Sequence, residues 1–141
     1  MDFDQSKFTN EPFVIKNPKP WGYEIIFTKK DFPYSGKILH VDAGKRLSLQ
    51  YHDQKKETMM LVKGQCLLII DDQKGELAEI EMEPFKGYDI LPGQKHRLKG
   101  ITDCDVFEVS TPEIGTTYRL EDDYSRSDET DDLRTAERKN L

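Results

Sequence analysis

Between residues 19 and 111 the chain is a succession of short segments in which apolar and polar residues alternate, each closed by a turn-forming pair or a polar run. Alternation with a period of two sends successive side chains to opposite faces of a strand, so each segment can bury only one face. The expected strands are Tyr23–Thr28, Gly36–Asp42, Arg46–His52, Thr58–Lys63, Gln65–Asp71, Leu77–Met82, Tyr88–Leu91, His96–Lys99 and Asp105–Ser110. Breaks fall at Ala43-Gly44, Asp53–Lys56, Gly64, Asp72–Gly75, Pro84/Gly87 and Pro92-Gly93. Strand signals that recur at roughly 8–12-residue spacing, with no helix-period stripe among them, are the pattern of a sandwich or closed barrel. The fold class expected is all-β, a jelly roll.

The 141 residues amount to one domain. Residues 1–18 read as a polar, irregular N-terminal arm that ends in the proline-bearing Asn17-Pro18-Lys19-Pro20 run. Residues 19–124 form the barrel, with 112–124 as an ordered loop at its end, and 125–141 form a polar, flexible C-terminal tail. With 27 Asp and Glu against 21 Lys and Arg, the formal net charge is −6 and no basic stripe stands out, so nucleic acid is not an expected partner. No apolar run reaches membrane-spanning length and the N-terminus lacks a signal-peptide core. Cys66 and Cys104 have neither metal-ligand nor disulfide spacing and read as buried thiols of a reducing compartment. A cytoplasmic location is expected.

The chemistry concentrates in Arg46–Gly64. Gln50 and His52 lie two apart and so share a strand face, with Leu47 and Leu49 expected on the other. The polar Asp53–Lys56 run turns the chain, and Glu57 opens the returning strand, able to point into the same cavity. His96 follows the Pro92-Gly93 turn on a strand that a barrel can bring alongside. Two imidazoles, a carboxylate and an amide oxygen then converge, a donor set suited to Zn, Mn, Fe, Co or Ni with positions left open. Either histidine taken alone is more often a hydrogen-bonded structural residue; only the combined spacing points to a metal.

The spacing Gly44-x5-Gln50-x-His52-x4-Glu57-x6-Gly64 resembles the first motif of the cupin superfamily, G-x5-H-x-H-x4-E-x6-G, with Gln replacing the first His. Pro92-Gly93-Gln94-Lys95-His96 resembles the core of the second, P-x-G-x2-H, with Leu91 at the usual first proline and Gly100 at the usual asparagine. Four blocks in order narrow the resemblance: Lys19-Pro20-Trp21-Gly22, Leu47-Ser48-Leu49-Gln50, Pro92–Leu98 and Arg119–Arg126. Together, over residues 19–126, they are similar to the cupin domain of type II mannose-6-phosphate isomerases, here standing alone. The resemblance implies a double-stranded β-helix and a divalent metal on Gln50, His52, Glu57 and His96. Where that family reads Q-x-H-H-H-R-x-E-H, this chain has Gln50-Tyr51-His52-Asp53-Gln54-Lys55-Lys56-Glu57-Thr58, so Lys55 stands in place of an arginine.

The implied activity is metal-dependent isomerisation or epimerisation of a sugar phosphate or nucleotide sugar, with Lys55, Glu57 and Arg97 as catalytic candidates. Lys55 and Arg97 are the candidates for phosphate contact, with Lys45 and Arg46 weaker ones, and the base is left among a metal-bound hydroxide, Glu108 and Tyr51. Trp21, Phe85 and Tyr88 read as packing, and Arg119–Asp122 as a pin for the C-terminal strap. The resemblance also implies a homodimer. Two alternatives stand beside it. One is a non-catalytic sugar-binding or regulatory cupin; the other is a non-haem iron dioxygenase, for which two His and one Glu are a sufficient ligand set.

Overall fold

A computed structural model of the chain describes residues 1–138. The alternating segments form strands, all paired antiparallel: β1 (Ile15–Lys19), β2 (Gly22–Ile26), β3 (Ser35–Val41), β4 (Leu49–His52), β5 (Glu57–Lys63), β6 (Cys66–Asp71), β7 (Leu77–Glu81), β8 (Gly87–Ile90), β9 (His96–Gly100), β10 (Cys104–Ser110) and β11 (Thr117–Glu121). A six-stranded sheet runs β1-β2-β3-β10-β5-β8 and a five-stranded sheet runs β11-β4-β9-β6-β7. Their inner faces meet in one core, and the expected all-β, two-sheet jelly roll is what forms.

The inward rows carry the design. On β3 they are Lys37, Leu39 and Val41; on β5, Glu57, Met59 and Leu61; on β10, Glu108, Val106 and Cys104. Register stacks these rows, with Val41 opposite Cys104, Leu39 opposite Val106 and Lys37 opposite Glu108. The apolar members therefore gather at one end, together with Leu68, Leu98, Met82 and Trp21, as a continuous core. The polar members gather at the other end, buried among strands rather than in water. Gly64 turns the chain at the apolar end with φ +78, and a Cβ there would lie 2.1 Å from the Asp103 carbonyl oxygen, so only glycine fits.

Three elements depart from the sequence expectation. β1 lies within the segment expected to be an irregular arm. It is tolerated despite Pro18 because it is the edge strand of its sheet, where a missing N–H leaves no ladder bond broken. β11, expected as loop, pairs with β4 as the other sheet's edge. The C-terminal segment, expected as a flexible tail that is either a frayed helix or disordered, carries a helix, α1 (Asp131–Arg138), started by Thr130, whose hydroxyl accepts from the Leu133 N–H at 3.2 Å. The last three residues of that segment lie outside the described ones.

β4 is also shorter than the expected Arg46–His52. Arg46 makes an isolated bridge to Lys99, and Leu47 and Ser48 belong to no strand. The Leu47 N–H donates to the Leu98 carbonyl, while its own carbonyl accepts from the Arg97 side chain. Alternation is broken there, so Leu47 lines the same cavity as Gln50 and His52 instead of sharing the face of Leu49. Leu68 has no exposed surface and sits mid-core between the sheets. Leu68→Ala should cost about 3 kcal/mol of unfolding free energy in a urea titration, from lost burial plus the cavity left behind.

Candidate metal centre

The polar end of the barrel is assembled by register. In the five-stranded sheet Gln50 of β4 lies opposite His96 of β9, and His52 and Gln50 lie opposite Thr117 and Arg119 of β11. Gln50, His52, Thr117 and Arg119 all line one cavity. The facing sheet supplies Glu57 at the start of β5, and, one inward step further along β10, Glu108 with Lys37 of β3 opposite it. Side chains far apart in the chain thus meet because the polar position of each inward row falls at the same level.

His52, Glu57 and His96 are all buried and each offers a donor atom within 4.8 Å of the others. Glu57 Oε1 lies 3.6 Å from His52 Nε2 and 3.2 Å from His96 Nε2. Ligands that share an ion through bonds of about 2.1 Å sit roughly 3.0–3.4 Å apart, so the spacing suits a common ion. The outer nitrogens are already engaged. His96 Nδ1–H donates to the Gln94 carbonyl at 2.9 Å, and His52 Nδ1 shares a hydrogen bond of 2.8 Å with Thr117 Oγ1. His96 Nε2 is thereby aimed at Glu57 Oε1, inward, where a metal-binding nitrogen has to point. His52 Nε2 is buried without a hydrogen-bond partner, while Glu57 Oε2 is taken by the Lys55 ammonium at 2.9 Å, which leaves Oε1 facing the two imidazoles. A cation bound between these groups would give the buried His52 Nε2 its partner, and the outer hydrogen bonds are the orientation that metal-binding histidines need. The fourth expected ligand, Gln50, has its Oε1 held by the Ser48 hydroxyl at 2.6 Å.

Around this cluster runs a buried network of charge. Lys55 Nζ lies 2.9 Å from both Glu57 Oε2 and Glu108 Oε2. Lys37 reaches Glu113 at 2.9 Å, Glu24 at 3.2 Å and Glu108 at 3.7 Å. Burial pushes the Glu57 carboxyl up, yet Lys55 and the two imidazoles outweigh it and hold it well below its ordinary range. Burial together with the negative charge of Glu57 pushes Glu108 up to about 7 against the pull of Lys37 and Lys55. Burial lowers the pKa of His52. The cavity bounded by these groups is small, about 60 Å³, room for about two waters.

A model of the family described as "Mannose-6-phosphate isomerase C-terminal" matches residues 9–129. The chain belongs to the mannose-6-phosphate isomerase C-terminal family. This family member has no match among curated proteins. Solved structures share its fold at low identity. The capsular polysaccharide assembling protein CapF of Staphylococcus aureus aligns with TM-score 0.59 and 16% identity, over 90% of this chain and 34% of that one. Oxalate decarboxylase of Bacillus subtilis aligns with TM-score 0.66 and 16% identity, over 81% and 33%. Oxalate decarboxylase of Lactobacillus farciminis aligns with TM-score 0.67 and 16% identity, over 81% and 37%. The family member thus spans about a third of the length of these solved relatives, and the likeness is one of cupin fold.

In this isomerase-family barrel, the residues expected at the centre divide into two groups. Gln50, His52, Glu57, His96 and Lys55 are brought together. Arg97 is not. It follows His96 on β9 and therefore points to the opposite face, where Nε–H donates to the Leu47 carbonyl and Nη1 lies 3.6 Å from Glu121. Arg46 is likewise committed elsewhere, paired through two hydrogen bonds with Asp123, and Lys45 faces Asp42 and the Pro20 carbonyl. Tyr51 stacks on Tyr118 on the far face of β4. Trp21 is buried, contributing to both the core and the cavity wall. Tyr88 packs on the core, and its hydroxyl accepts from the Glu83 N–H at 2.9 Å; Phe85 is exposed. Glu24, Lys37, Glu113 and Thr117 were not singled out from sequence. A signal existed for Lys37, which shares an inward row with Leu39 and Val41.

Glu24 tests the network. Burial raises its pKa, but Lys37, Lys19 and Arg138 overcome this and hold it at about 2, against an ordinary 4.5. A depressed folded-state pKa contributes stability that is complete above the unfolded value and disappears as pH falls through the folded one. Thermal stability should therefore drop as pH is lowered from about 4.5 to about 2. Glu24→Gln should flatten that decline while costing about 3 kcal/mol at neutral pH, read from denaturant melts across pH.

Proposed function

We propose that the barrel binds a divalent transition metal through His52, Glu57 and His96, with Gln50 as fourth ligand, and isomerises or epimerises a phosphorylated or nucleotide-activated sugar. The observation that carries this proposal is the buried cluster in which the unpartnered His52 Nε2 and the His96 Nε2 both face Glu57 Oε1, at 3.6 and 3.2 Å. Membership of the mannose-6-phosphate isomerase C-terminal family supports the reaction class. The same fold in Bacillus subtilis oxalate decarboxylase holds Mn(II) centres, which supports a metal here without fixing its identity. A dimer of such barrels in the cytoplasm completes the proposal. Exposed Val14, Phe27, Phe32 and Tyr34 around the β1 edge of the sheet favour self-association, to be read by sedimentation.

Aldose–ketose interconversion removes a proton beside a carbonyl while negative charge grows on oxygen. When bound, the metal supplies a Lewis acid for that charge. The protein's own part is to move the proton and hold the ligands. Glu108 is the candidate base: it is buried at the cavity wall, its pKa stands at about 7, and Lys55 fixes its Oε2 at 2.9 Å. Lys55 also grips Glu57 Oε2, so one ammonium aligns both the ligand carboxylate and the base.

Metal content by elemental analysis should fall from about one equivalent to background in His52→Ala, since loss of one of two histidine ligands leaves a poor site. Equal metal in wild type and variant would remove the proposed centre. If Glu108 is the base it works only when ionised, so kcat/KM should rise with pH through about 7 and then level. Glu108→Gln should abolish that limb and lower kcat by about 10²–10⁴-fold, assayed by ketose formation from an aldose phosphate.

A further inference from the structure

The cavity at the metal cluster, about 60 Å³, is smaller than the roughly 300 Å³ at which small-molecule sites begin. A hexose phosphate cannot enter it as it stands. The wall that closes it is the C-terminal strap, the segment after β11 that ends in α1. Its Glu129 and Arg134 line the cavity directly. Tyr124 packs the start of the strap on the core; beyond it the strap is held chiefly by ion pairs and polar hydrogen bonds. The one buried residue of α1 is Arg134, and the strap's ladder contact is a single bridge between Glu129 and Thr117.

The carboxylates of the strap sit on cations that belong to the barrel. Glu129 accepts from Arg119 Nη2 at 3.1 Å, and Glu137 accepts from Lys19 Nζ at 3.3 Å. Arg119 is nearly fully buried, with 5% of its side chain exposed, and its Nε is an N–H without a partner among the described residues. Its register opposite Gln50 sets it beside the metal cluster. Lys19 lines the same cavity, its side chain 10% exposed.

We propose that the strap is a lid, and that Glu129 and Glu137 occupy the two barrel cations that bind the phosphate of the substrate. When the strap lifts, Arg119 and Lys19 lose these carboxylates, Lys19 keeping only the more distant Glu24 at 4.0 Å, and both face the enlarged cavity, ready for a phosphate group. Buried ion pairs contribute little net stability because desolvation offsets their attraction, so an element held chiefly by them, with one two-bond bridge to β11, lies toward the easily opened end of the structure. Arg138, which leaves with the lid, contacts Glu24 and Glu113, and both keep Lys37 when the lid is open. The inference deepens the function proposed above by assigning the charge class of its substrate, and it rests on that proposal for the location of the reaction.

The test titrates full-length, metal-loaded protein with inorganic phosphate by calorimetry, with mannose as the neutral control. Removing the competing charges in Glu129→Gln/Glu137→Gln should tighten phosphate binding about tenfold, and Arg119→Gln should weaken it about tenfold, with mannose unaffected by either. Lys19→Gln repeats the second arm should the Arg119 variant fail to fold. Hydrogen exchange across residues 125–138 should quicken when phosphate is added. A hexose 6-phosphate compared with a nucleoside-diphosphate hexose separates a monoester from a pyrophosphate source. Unchanged phosphate affinity in the double Gln variant, or unchanged exchange in the strap, overturns the lid. Metal measured in the same samples reads the metal centre separately: a protein that holds metal but fails these tests refutes the lid alone.

Discussion

The contact on which the polar end of the barrel depends is the bridge from Lys55 to Glu57 and Glu108, two carboxylates held at 2.9 Å by one buried ammonium. Two buried carboxylates this close to each other repel, and one would take up a proton if nothing intervened. Lys55 lets Glu57 stay ionised, which a metal ligand must be, and leaves Glu108 as the group whose proton is negotiable. Arginine at this position would bring a planar fork with more donors; a lysine offers a compact charge that sits between two single oxygens. The difference from the family pattern is thus accommodated by a different local geometry with the same electrostatic purpose.

That bridge is embedded in a wider alternation of sign. Lys37 continues the chain of charge from Glu108 to Glu24 and Glu113, and Arg138 closes it from the C-terminal helix. Such an arrangement adds little to stability relative to an apolar core of the same volume, because each charge gives up its hydration. Its value lies in the polar, shaped interior that remains at the end of a barrel whose other end is packed with Leu, Met and Val. The fold separates the two tasks along each strand: one end of an inward row makes the core, the other end makes the site. Closure by an ion-paired strap follows from the same economy, since the one residue that α1 buries is an arginine rather than an apolar side chain.

Much of this was legible in the chain. Alternation between residues 19 and 111 was sufficient for an all-β jelly roll, and the spacing of Gln50, His52, Glu57 and His96 brought forward the residues that the structure gathers. The failures have physical causes. β1 and β11 are edge strands, paired on one side only, so neither needed the apolar alternation that marks a central strand, and Pro18 masks the first. The break at Leu47 and Ser48 could not be seen because the local pattern still alternates; what interrupts it is a hydrogen bond from Arg97, a residue fifty positions away. Arg97 adjoins His96 in sequence, and adjacency on a strand is what sends it to the other face.

The order of residues alone determined which face of each strand is buried, because a period of two is a property of the extended backbone and requires no partner. It also determined that the buried rows would carry histidine, glutamate and lysine as well as leucine. Only the tertiary structure decided which of these meet. Register between strands distant in sequence sets the level at which each polar side chain stands, and a shift of one residue would turn any of them to solvent. For the C-terminal segment the sequence left a frayed helix and disorder side by side, because its mostly polar residues bury little by themselves; the ion pairs that Arg134 and Arg138 make with Glu113, Glu129 and Glu24 are contacts only the tertiary structure supplies.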